Sequence, residues 1–169
     1  MTLSSARPRE LVWSKIPHSR DYELRLNGKT IGQLSRPRAW ASDFVAETNG
    51  RSWILRRGGI FGAEEIVDST SGKRLAAFKT RWGKGALTFA DGQKFRVESK
   101  GAFRPVWSVF SEDDQLILEI HGKEKTVELK ASASSVAEER LIILVMFLWY
   151  RKLQTEEDAT AAAVAIAIS

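Results

Sequence analysis

A ladder of turn signals, set at almost equal intervals, narrows most what this chain can fold into. Asn27-Gly28, Asn49-Gly50, Ser71-Gly72, Asp91-Gly92 and Asp113-Asp114 follow one another at steps of 22, 22, 20 and 22 residues. Asn-Gly and Asp-Gly suit tight hairpins, whose central residues need positive φ. A second series of breaks lies midway between these, at 36–40 (RPRAW), 56–62 (RRGGIFG), 79–84 (KTRWGK), 99–104 (SKGAFR) and 121–125 (HGKEK). Each unit of about 21 residues is then one hairpin, two strands and two turns, repeated along the chain.

The stretches between breaks alternate with period two. Phe95 and Val97 oppose Lys94, Arg96 and Glu98, and Leu24 and Leu26 oppose Glu23 and Arg25. Val127 and Leu129 share a face, as do Leu116, Leu118 and Ile120. Such alternation predicts strands with one buried and one wet face. Eleven such segments fit between residues 21 and 131, and 10–16 (ELVWSKI) supplies a twelfth. An antiparallel meander of that length splits into layers or closes, which removes its exposed edges. A closed ring of eleven or twelve strands leaves a lumen wide enough for one helix.

Two segments compete to fill that lumen. Leu141 to Tyr150 is a run of ten consecutive apolar residues between charged flanks. Ten residues of helix rise about 15 Å, whereas a membrane span needs about 20 apolar residues. A short helix that is apolar on every side belongs in a core. A second helix is expected over 159–168, with Thr155 as N-cap and Glu156, Glu157 and Asp158 in its first turn. Either could fill the barrel. The bulkier run, 141–152, loses more if left exposed, and the other would then pack outside or close one end. The expected fold is all-β with C-terminal helices, an antiparallel closed barrel of about twelve strands around a buried hydrophobic helix. It forms one domain over 10–169, behind a flexible stretch at 1–9.

Many antiparallel strands closing on a hydrophobic helix near the C-terminus resemble the tubby C-terminal-like superfamily. That group includes tubby domains, LURP-one-related proteins and phospholipid scramblases. The stretch 161–169 (AAAVAIAIS) is similar to the small-residue terminal helix of tubby domains, and 139–150 (ERLIILVMFLWY) to the bulkier helix of the other branches. The resemblance spans residues 10–168. It implies a module that binds anionic lipid headgroups or phosphoinositides. The scramblase branch would imply lipid translocation instead, but its cysteine-rich and proline-rich companions are absent here.

The net charge of +5 and pI near 9.6 make nucleic acid, acidic headgroups and phosphorylated ligands plausible partners. With no cysteine there are no disulfides, thiolate metal sites or cysteine nucleophile. That fits a reducing compartment, and MTLSSARPRE at 1–10 has no apolar core of a secretory signal. The expected location is cytoplasmic, peripheral at a membrane. His18 and His121 stand alone with no ligand spacing around them, so no metal is expected. Phosphate-loop and nucleophile-elbow motifs are absent. Glu64 and Glu65 are adjacent, so on a strand they point to opposite faces, and Asp113-Asp114 falls in a solvated turn. No catalytic constellation and no cofactor site emerge. A non-enzymatic binding or scaffold protein is expected.

One end of the expected barrel stands out. The tight turns (27–29, 47–51, 68–74, 91–94, 111–115) sum to a charge of −1, and the midway series sums to +10. In an up-and-down sheet those two series lie at opposite ends. Anion binding is therefore expected at Arg36, Arg38, Arg57, Arg81, Lys84, Lys100, Arg104 and Lys123. Trp40, Phe61, Trp82 and Phe103 recur at the same end at intervals of 21 residues. They either cap the barrel mouth or contact a membrane, where Trp is favoured and each nearby Lys or Arg adds about 1 kcal/mol on anionic lipid. Nucleic-acid binding, drawing on the same charges, is the alternative.

Overall fold

The computed structural model of the chain describes residues 10–38, 42–57, 63–81, 84–101 and 104–168. Twelve strands form a meander. They are β1 (Leu11–Lys15), β2 (Tyr22–Leu26), β3 (Lys29–Ser35), β4 (Phe44–Thr48), β5 (Arg51–Arg57) and β6 (Glu64–Asp68). The second half comprises β7 (Arg74–Arg81), β8 (Lys84–Phe89), β9 (Lys94–Lys100), β10 (Val106–Phe110), β11 (Leu116–His121) and β12 (Thr126–Leu129). A 3₁₀ turn, Ala131–Ser135, leads to one helix, α1 (Glu138–Ile168).

Every strand pairs antiparallel with its neighbours in sequence, and β12 returns to β1 to close the barrel. The closing seam is short: Leu11 faces Val127 and Val12 faces Thr126. Beyond it the Trp13 N–H donates to the Lys125 carbonyl at 2.7 Å. Because no strand crosses over, the two series of turns do occupy opposite ends, here called the hairpin end and the basic end. At the hairpin end Asn27 and Gly28 (φ 49° and 81°) and Asn49 and Gly50 (42° and 78°) adopt the paired positive φ of tight hairpins. Asp91-Gly92 does not follow that expectation. Only Gly92 has positive φ (94°), its N–H donates to the Phe89 carbonyl, and Phe89 N–H donates to Gln93. This is a three-residue loop with a glycine bulge, whose extra residue leaves Asp91 in ordinary backbone geometry.

The alternation places Trp13, Leu24, Leu34, Leu55, Ile66, Leu87 and Phe95 inward and fully buried. α1 threads the space they line. Leu144, Met146, Leu148, Trp149 and Tyr150 have no exposed surface. Rings lock helix to wall: Trp149 stacks on Trp13 at 5.1 Å, Tyr150 meets Phe44 edge-on at 5.4 Å, and Phe147 lies 5.1 Å from Phe78. Two strand glycines make room. A Cβ at Gly32 would strike the Met146 methyl, and one at Gly85 would overlap the Phe78 ring. Each large apolar side chain removed from water contributes about 1.5–3 kcal/mol, so the helix is the largest single part of the core.

The expectation of two helices is corrected. Residues 138–168 form one helix of 31 residues, with no Gly or Pro to break it. Thr155 is no N-cap; it sits mid-helix, and its hydroxyl donates to the Arg151 carbonyl at 2.9 Å. Of the two candidate segments the first fills the barrel, with Leu153 and Gln154 still buried at its upper limit. The second neither packs outside nor closes an end: residues 155–166 are exposed and project from the basic end. The expected flexible stretch 1–9 lies outside the described residues.

Candidate functional site

The basic end is assembled by strand termini and by the emerging helix. Arg36 follows β3, Arg57 ends β5, Arg81 ends β7, Lys84 opens β8 and Lys100 ends β9. Arg104 and Lys123 lie in the next two connections at the same end. All eight positions singled out in the sequence therefore lie at one end of the barrel, and the described side chains among them differ in what they touch. Arg38, Arg104 and Lys123 are exposed and form no ion pair among the described residues. Lys79, Lys125 and Lys15 share that status and were not among the eight. The Arg81 side chain lies outside the described residues, as do Trp40, Phe61, Trp82 and Phe103.

The others are engaged. Lys84 and Lys100 approach Glu98 at 3.3 and 4.0 Å, and Arg96 pairs with the same carboxylate. Burial pushes the Glu98 carboxyl up, but Lys84 and Arg96 prevail and hold it below its ordinary range. Arg57 donates to Asp158 at 2.6 Å and Arg36 to Glu157 at 2.8 Å. Lys152 completes the set with Glu156, 2.9 Å away and one helical turn on. The three acids expected to start a second helix instead reach the +10 end of the barrel.

Inside the mouth sits a buried pair. Glu64 of β6 points inward and accepts from Arg151 of the helix. Glu65, facing outward, pairs with Arg56 and Arg74, so the two adjacent glutamates do occupy opposite faces. Burial pushes the Glu64 carboxyl above its usual value, against the pull of Arg151. Burial likewise raises the Tyr150 phenol beside it. The Arg151 guanidinium lies over Phe78 and Trp107, at 5.0 and 5.9 Å.

A cleft of about 170 Å³ opens beside the helix at this end, lined by Lys15, Arg20, Tyr22, Arg36, Phe44 and Glu157. The Arg36 guanidinium lies 4.4 Å over the Phe44 ring, and its backbone N–H donates to Asp21. Lys15, Arg20 and Tyr22 belong to the β1–β2 connection and its flanks, the sixth connection at this end. The turn ladder begins at residue 27, so this connection escaped the sequence reading. Burial, and then the nearby Glu156 and Glu157 charges, raise the Tyr22 phenol, which stays a hydrogen-bond donor at neutral pH.

On the outer wall, Glu119, His121 and Glu128 bring ligand atoms within 4.8 Å of one another. The sequence showed no ligand spacing around His121 because these residues meet across β11 and β12, where Glu119 faces Glu128. The Lys130 ammonium lies 3.0 Å from Glu119 and 2.7 Å from Glu128, so it takes the charge-balancing place a metal would need. No helix among the described residues is long and apolar enough to cross a membrane. Comparison of the chain with protein-family models, curated proteins and solved structures finds no match.

Proposed function

We propose that this protein is a non-enzymatic binding module of the tubby-like barrel type, whose basic end docks on anionic lipid headgroups at the cytoplasmic face of a membrane. One observation carries the reading. The helix leaves the barrel through the same mouth that gathers Arg38, Lys79, Arg104, Lys123 and Lys125, all without an acidic partner among the described residues. Cations on one rim add their potentials within a Debye length of about 8 Å at physiological salt. The projecting segment is the second support. Its residues 159–166 are small and apolar apart from Thr160, with Val164 53% exposed. Residues 159–168 span about 15 Å, half of a hydrocarbon core of about 30 Å, a length suited to dipping into one leaflet. The acids behind this segment are already paired with Arg36, Arg57 and Lys152. They therefore oppose docking less than their number suggests.

Liposome co-sedimentation beside a DNA shift assay, on one preparation, tests the reading. Anionic vesicles should bring the protein down and neutral ones should not. Reversal of Arg104 and Lys123 to Glu should abolish most of that binding, and reversal of Lys73 and Arg74 at the hairpin end should not. Equal losses would leave only nonspecific net charge. A DNA shift that falls steeply with salt, without vesicle binding, would favour the nucleic-acid alternative.

A further inference from the structure

We propose that the cleft beside the helix is a binding site for a phosphate monoester, and that in this structure the Glu157 carboxylate occupies it as an internal stand-in. The inference rests on the reading of the basic end as an anion-binding surface and adds a defined pocket and a built-in competitor to it.

Arg36 carries the argument. Its side chain is only 10% exposed, stacked on Phe44. Its position is therefore set by packing rather than by the ion pair. A guanidinium presents Nε and Nη2 along one edge, a fork that fits two oxygens of a phosphate or carboxylate. Glu157 engages Nη2 at 2.8 Å through one oxygen, and the buried Arg36 Nε has no hydrogen-bond partner. A buried donor left unmatched is uncommon in folded proteins. Here it marks the half of the fork that the carboxylate does not use. A tetrahedral oxyanion in the same place would fill both prongs.

The charges point the same way. Lys15, Arg20 and Arg36 bring three positive charges to the cleft, against one negative charge from Glu157 and one from Asp21, which accepts from the Arg36 backbone N–H. A phosphate monoester carries about −1.5 to −2 near neutral pH, which matches them better. Arg20 and the protonated Tyr22 hydroxyl add donors to the lining. The volume, 170 Å³, equals the liquid share of about six waters, room enough for one phosphate group. Glu157 is half exposed on the projecting part of α1, so it can swing away without disturbing the barrel. The anion would then release the helix projection from the rim at Arg36, while Arg57–Asp158 still holds it.

Titration calorimetry of the full chain with soluble inositol trisphosphate and with orthophosphate tests the site. Co-sedimentation with vesicles bearing phosphatidylinositol bisphosphate, beside charge-matched phosphatidylserine vesicles, identifies the source of the phosphate. Removing the competitor in Glu157→Gln should tighten inositol trisphosphate binding about three- to fivefold. Arg36→Lys, which keeps the charge but loses the fork, should weaken it about tenfold. Where Arg36→Lys changes the melting temperature, Lys15→Ala serves instead, with a smaller loss. If both soluble phosphates ignore all three substitutions, the cleft is not the site, even if Arg104 and Lys123 still govern vesicle binding. If the soluble phosphates respond as expected while no vesicle is bound, the cleft stands, a free phosphate compound is its ligand, and the lipid reading falls. A preference for bisphosphate over phosphatidylserine vesicles that grows in Glu157→Gln upholds both.

Discussion

Each end of the central helix is clamped by an arginine and a carboxylate, and the two clamps are opposites. At the hairpin end Arg140 reaches from the first turn of α1 to Asp91 and Gln93, over the Phe89 ring. That clamp is open to water, and the bond from Arg140 holds the Asp91 carboxyl below its ordinary range. At the basic end Arg151 meets Glu64 inside the barrel, where burial drives the carboxyl up despite its partner. The first clamp is a surface pair that fixes where the helix starts. The second holds charge where desolvation costs several kcal/mol per ion, which a barrel built for stability alone would avoid. Glu64 Oε2, Arg151 Nε, Tyr150 Oη and the Trp107 indole N–H beside it also lack protein partners. Arg25 Nε, near the hairpin end, is unmatched as well, but these four atoms cluster at the end where the cations and the cleft lie.

Both clamps presuppose a buried helix between them, so the largest effect should come from breaking that burial. Leu144→Asp or Phe147→Asp would place an unpaired charge in the core, at several kcal/mol. Such chains should recover no cooperative melt, and a soluble variant with unchanged melting would remove the helix from the barrel.

Next in size is the contrast itself. Arg151→Ala strands the buried Glu64 and should cost about 3–5 kcal/mol in denaturant unfolding. Arg140→Ala, at a clamp open to water, should cost a small fraction of that. Replacing the buried pair together, Glu64→Leu with Arg151→Met, should be neutral or stabilising by about 1–4 kcal/mol. If the double variant is as unstable as Arg151→Ala, the pair is a structural necessity rather than a functional one.

The clamps should also diverge with pH. Asp91, lowered from 3.8, adds stability above that value and loses it as pH falls through the folded pKa. Glu64, raised from 4.5, does the reverse: its contribution is full below that value and shrinks as pH rises through the folded pKa. Melting temperature followed against pH should therefore place wild type above Asp91→Asn at neutral pH, with the gap closing as pH falls below 3.8, and place wild type below Glu64→Gln as pH rises above 4.5. A difference of the same sign for both would make the clamps electrically alike.

The smallest effect is expected beyond the basic end. Val164→Asp touches no wall of the barrel and should leave melting within about 0.5 kcal/mol of wild type, while reducing vesicle binding. A loss of stability there would mean that the projecting helix has a packing role.

The barrel was legible because its signals are local. Asn27-Gly28 and Asn49-Gly50 require their own backbone geometry, and alternation such as Phe95 and Val97 against Lys94 and Arg96 follows from the pleat alone. A ladder of equal steps then leaves an up-and-down meander little choice but to close. Polarity between the ends was readable for the same reason, since consecutive turns must alternate. The helix was legible in its buried half, where ten apolar residues admit few surroundings, but not in its extent. Thr155 and the acids after it have the composition of a helix start, and only the turns of helix already running beneath them made that position an interior one. The mouth was least readable. Glu64 meets Arg151 across 87 residues and Arg36 meets Glu157 across 121, and no local pattern encodes a pairing that exists only once the barrel has closed around the helix. Sequence by itself determined twelve strands, their order and a basic end. Tertiary structure alone decided which charges at that end are spent on the helix and which still face outward, because that depends on where a rigid rod of fixed rise leaves the barrel.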